Sequence, residues 1–136
     1  MDTVARLNEL LEAERAGVET LSRLLPAAPD PAARRLFEAV RDDEAWSCAG
    51  LVRAIRDLGA QPTSAKGDFA GKVMAEPTLA ARLSLLNRGQ EWVAKRLDVL
   101  VAARLSAAST EFLTEMRARH VRNIEACERL VKELSR

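Results

Sequence analysis

The sequence predicts an all-α fold, a four-helix bundle with one long crossover, and three observations carry that prediction. Apolar residues recur at helical spacing through four long segments. The connections between those segments run short, long, short. Valines and isoleucines are scattered and never alternate, so no strand pattern competes.

The first helix is expected over 3–25, with Asp2 or Thr3 as its N-cap. Its end is marked by Pro26, and Pro26 to Pro31 forms a short turn. Asp30 before Pro31 reads as an N-cap with proline at the first helical position, opening a second helix over 32–58. Gly59 caps that helix and Pro62 prevents its continuation. The crossover, 59–77, is the only long connection. Fully extended it reaches about 60 Å, whereas a helix of about 26 residues spans about 39 Å. It can therefore return along the bundle, leaving a third helix over 78–104 and a fourth over 107–135. The short links make antiparallel hairpins of helices one and two and of three and four.

At 136 residues, the chain is expected to form one domain over 1–136. Apolar residues make up 48% and charged residues 30%, a globular balance. Net charge is +1, with 21 basic and 20 acidic side chains and no basic block, which argues against nucleic acid or membrane as partner. No apolar run reaches the roughly 18 residues of a membrane span, and the N-terminus has no signal-peptide core. Cys48 and Cys127 sit in helical patterns without metal-motif spacing, the pattern of reduced thiols in a cytoplasmic protein.

Residues about 100° apart on a helix sort into faces. Leu7, Leu10, Leu11, Val18, Leu21 and Leu25 line the first stripe, with Glu14 at its centre. Phe37, Val40, Leu51, Ile55 and Leu58 line the second around Glu44. Leu79, Leu83, Leu86, Val93, Leu97 and Leu100 line the third around Gln90. Leu113, Met116, Ile124, Cys127, Val131 and Leu134 line the fourth around His120. Glu91 is rotated about 100° from Gln90, beside polar residues, and is expected in solvent. Burying two carboxylates, an amide and an imidazole at one level is costly unless they bind each other or something else.

Residue placement here resembles the ferritin-like superfamily, in which two metal ions sit inside a four-helix bundle. That family places a Glu on helices one and three and Glu-x-x-His on helices two and four. Glu14 and Glu44 match the first two carboxylates, and His120 matches the last histidine. Ser47 stands where the second helix should carry histidine, Gln90 where the third should carry Glu, and Arg117 where the fourth should carry Glu. A di-iron pair would need Glu91 and Asp43 to turn inward.

Two functions follow as expectations. With three family positions altered, the first is a non-catalytic module whose buried layer is satisfied internally, Glu14 and Glu44 pairing with Arg117 and His120 while Ser47 and Asn123 adjoin. Such a module would act in assembly or partner binding. The second is a metal-binding protein or metal-dependent oxidoreductase in which Glu14, Glu44 and His120 hold one iron, manganese or zinc ion, with Gln90 or Glu91 as further donors. An empty layer is preferred over a di-iron pair. A protein partner, such as a second copy, is expected at Trp46, which points away from the core among Ala39, Ala49 and Gly50. The competing expectation folds Phe69, Val73 and Met74 of the crossover over Trp46.

Overall fold

A computed structural model describes residues 2–136. Four long helices form the bundle: α1 (Thr3–Leu24), α2 (Pro31–Asp57), α4 (Leu79–Val101) and α5 (Ala107–Leu134). A short α3 (Phe69–Met74) interrupts the crossover. Asp2 caps α1, its Oδ1 accepting from Ala5 N at 3.0 Å, and Asp30 caps α2 through Ala33 N at 2.8 Å. Thr78 and Ser106 cap α4 and α5 in the same way. Gly59 follows α2 with φ +73, a left-handed conformation that glycine takes without strain.

The structure corrects several boundaries. The first helix stops at Leu24, and Leu25–Ala27 tightens into a 3-10 turn. The third ends at Val101 rather than 104, before Arg104 adopts φ 57. Leu58 is 45% exposed, because it lies at the cap of α2 where the chain turns away.

The crossover runs back along α1. Asn8 Oδ1 accepts from Thr63 N at 2.7 Å, Arg15 donates to the Thr63 and Ala65 carbonyls, and Gly67 N donates to Glu12 O. It then enters α3, whose Phe69 ring lies against Gly89 of α4. A Cβ on Gly89 would come within 2.8 Å of that ring. Arg82 holds the chain beyond α3 through the Met74 and Glu76 carbonyls. The crossover therefore covers α1 and α4 and does not cover Trp46. Trp46 instead packs on Phe112 of α5, ring centroids 5.0 Å apart, beneath the Arg119 guanidinium. Gly50 is buried because Phe112 occupies the space where its side chain would be. Ala39 and Ala49 are exposed.

The core divides into two apolar clusters. One holds Leu7, Leu10 and Leu11 with Leu51, Ile55, Val93, Leu97, Leu100, Leu113 and Met116. The other holds Leu21 and Leu24 with Phe37, Val40, Leu83, Leu86, Cys127 and Leu130. Between them lies the polar layer, sealed from water along the bundle axis on both sides.

Candidate metal centre

Each long helix delivers a polar side chain to this layer from near mid-helix, and α2 delivers Ser47 as a second. Glu14, Glu44, Gln90 and His120 are 2%, 3%, 3% and 1% exposed. Ser47, one turn beyond Glu44, is fully buried. Glu91 is exposed, so the third helix offers the amide and not the carboxylate.

His120 is oriented by its own helix. Its Nδ1 lies 2.9 Å from Met116 O, and a carbonyl can only accept, so Nδ1 carries the proton. In the neutral ring this leaves the Nε2 lone pair facing the layer, the arrangement a ligating histidine needs. Nε2 lies 2.8 Å from Glu14 Oε1. At that distance a proton held between them pairs the imidazole with the carboxyl. Glu44 and Ser47 lie beside the same carboxyl, and Gln90 Oε1 is buried without a hydrogen-bond partner.

A second relay fixes the amide. Asn87 Nδ2 donates to Ile124 O at 3.1 Å, so Asn87 presents its oxygen to Gln90 Nε2 at 3.4 Å. Gln90 is thereby turned so that Oε1 is its free atom.

Burial pushes the Glu14 carboxyl up to about 7, against the opposing influence of Glu44 and Ser47 beside it. Burial also holds Glu44 well above the carboxylate range, and the Glu14 charge adds to that. Burial raises both thiols, Cys48 and Cys127, to about 12, leaving them protonated and poor nucleophiles near neutral pH.

Arg117 does not join the layer. It is 44% exposed and paired with Asp98 of α4, so the expected neutralisation of Glu14 and Glu44 by Arg117 is absent. Asn123 is buried but donates to Asp43 Oδ2, and Asp43 also receives Arg119 at 3.1 Å. Asp43 is thus held away from the layer by two donors. One ligand atom each from Glu14, Glu44 and His120 lies within 4.8 Å of the others. Among the described residues no other group of three such side chains meets this way.

Sequence reasoning missed Gly17. A Cβ there would stand 2.4 Å from Glu44 Oε2 and 2.6 Å from its Cδ. Glycine inside a helix costs about 1 kcal/mol relative to alanine, and its position one turn after Glu14 was the available signal. The cavity was missed as well. About 510 Å³ in volume, it opens between α1 and α4 under α3 and reaches Glu14, Glu44 and Gln90.

The model of a family described as "Domain of unknown function (DUF6306)" matches residues 1–129. No curated protein matches the chain. A solved structure, "Crystal structure of ferritin like, diiron-carboxylate proteins from Bacillus anthracis str. Ames", is similar with a TM-score of 0.81 at 20% identity. The match covers 96% of this chain and 95% of that one. At this identity the likeness shows the fold, a ferritin-like helical bundle.

Proposed function

We propose that this chain, which belongs to the DUF6306 family and has a ferritin-like fold, is a metal-binding protein holding one divalent ion through Glu14, Glu44 and His120. The observation that carries this reading is the meeting of two buried carboxylates and a buried imidazole, one donor atom of each lying within 4.8 Å of the others. An orphaned buried polar atom costs about 1–3 kcal/mol. Water could complete the hydrogen bonds but would leave two buried carboxylates adjacent; a cation answers both demands.

The tightest donor pair fits such an ion. Two ligands of one ion in a right-angled arrangement, each about 2.1 Å from it, lie about 3 Å apart. That is close to the 2.8 Å between His120 Nε2 and Glu14 Oε1. Oxygen and imidazole donors suit iron(II), manganese or zinc. They do not fit a pair of ions. Ser47 and Gln90 replace two family ligands, Arg117 and Glu91 face outward, and Asp43 is engaged by Arg119 and Asn123. The motif is therefore read as reduced from two metals to one.

The chain's own residues have distinct roles. Met116 O fixes the His120 ring, Gly17 leaves room for the Glu44 carboxylate, and the two apolar clusters close the layer at both ends along the bundle axis. A bound iron or manganese would supply redox chemistry toward oxygen or peroxide, and zinc would supply Lewis acidity. Gln90 Oε1 and Ser47 Oγ, buried in the same layer, would be left as hydrogen-bonding groups.

Thermal unfolding of chelator-treated protein with iron(II), manganese or zinc tests the proposal. At a hundredfold excess over Kd, binding stabilises by about 2.7 kcal/mol, on the order of 10 °C for a chain of this size. The shift should vanish in the Glu14→Ala, His120→Ala double variant. No shift with any of the three ions, or an equal shift in the variant, contradicts the assignment.

A further inference from the structure

We propose that the cavity between α1 and α4 binds an uncharged, largely apolar small molecule bearing a hydroxyl, which donates to Gln90 Oε1 at the inner end. The inference rests on the proposed metal site only in placing this ligand beside the ion. Its support comes from the cavity and from Gln90.

At about 510 Å³ the cavity falls within the range of small-molecule sites, about 300–1,000 Å³. Its walls include Ala13, Phe69, Leu85, Leu86, Trp92 and Val93, which suit an apolar body. The buried members of its lining that carry polar side chains are Glu14, Glu44 and Gln90, which places the polar end deep. His120 and Ser47 do not line it, so the cavity meets the layer from the α1 and α4 side only.

Gln90 decides the chemistry of the head group. The carbonyl of Ile124 orients Asn87, Asn87 orients Gln90, and Oε1 is left as an acceptor without a donor. A buried acceptor discriminates against a ligand that brings no donor. An anionic head would find no cationic partner at the inner end, since the cavity's cationic lining residues, Lys72 and Arg88, are exposed at its mouth.

Tryptophan fluorescence and calorimetric titration of the chelator-treated full chain with benzyl alcohol, toluene and benzoate provide the test. Trp92 lines the cavity and serves as reporter. Benzyl alcohol should bind saturably and about three- to tenfold more tightly than toluene, the value of one hydrogen bond. Benzoate should bind at least about tenfold more weakly than the alcohol, because its charge would be buried without a partner. Gln90→Leu should remove the preference for alcohol over toluene while retaining toluene binding, and Ala13→Phe should weaken all binding by filling the cavity. Saturable binding of none of the three, or a parent alcohol-to-toluene ratio near one, overturns the proposal even if a variant fails to fold. A ratio that persists in folded Gln90→Leu overturns it too. Because no metal is present in this titration, its failure is separate from a failure of metal binding.

Discussion

Metal-free protein is expected to lose about 3 kcal/mol of stability as pH rises from about 4.5 to beyond 7, through Glu14 alone. The carboxyl is raised from 4.5 to about 7 on folding, so across that window the folded state binds more protons than the unfolded chain. The contribution of Glu14 is greatest below 4.5, falls as pH climbs, and levels off once both states are ionised. Glu44, raised for the same reason and by its neighbour's charge, extends the loss in the same direction. Glu19 is lowered by its bond to Lys66 and acts with the opposite sign, but below 4.5 and outside this window. Glu14→Gln should flatten the profile and leave the metal-free protein more stable than the parent at pH 8, while weakening metal binding. Urea unfolding at several pH values with chelator present checks this. Stability that rises between pH 5 and 8, or a destabilised Glu14→Gln at pH 8, would count against buried, unneutralised carboxylates.

Gly17→Ala should separate metal binding from folding. Alanine in a helix interior gains about 1 kcal/mol over glycine, but the added Cβ would stand 2.4–2.9 Å from three atoms of the Glu44 carboxyl group. That group must swing out of the layer. Affinity for manganese or zinc is expected to fall on the order of a hundredfold, at the upper end of what lost ligand support costs. Unfolding free energy should stay within about 1 kcal/mol of the parent. Chelator competition and urea unfolding on the same sample measure both. Unchanged affinity in Gly17→Ala would remove Glu44 from the ligand set.

The bundle and its polar layer were legible because each helix carries a long apolar stripe with a single interruption. The 100° offset between adjacent residues was enough to choose Gln90 over Glu91. Capping chemistry at Asp30 and Gly59 located the ends of α2 to within a residue. Helix α3 was not legible, since six residues give fewer than two turns and no period to detect. Arg117 was misplaced because spacing along one helix says nothing about the partner opposite, and Asp98 on α4 takes the guanidinium outward. Trp46 was read as pointing away from the core, but a helix wheel cannot show that Phe112 and Arg119 of α5 cover it. The crowding of Glu44 against Gly17 required knowing how closely α1 and α2 approach, which no one-dimensional pattern contains.

The central claim is one divalent ion held by Glu14, Glu44 and His120, and counting ions per chain tests it most directly. Chelator-treated protein would be reconstituted separately with iron(II), manganese and zinc, desalted, and its bound metal measured by elemental analysis beside the Glu14→Ala, His120→Ala variant. One ion per chain is expected for at least one of these metals, and none in the variant. Two ions per chain would restore a di-metal centre that these residues do not supply, and no ion with any of the three metals would leave the layer without the cation proposed for it.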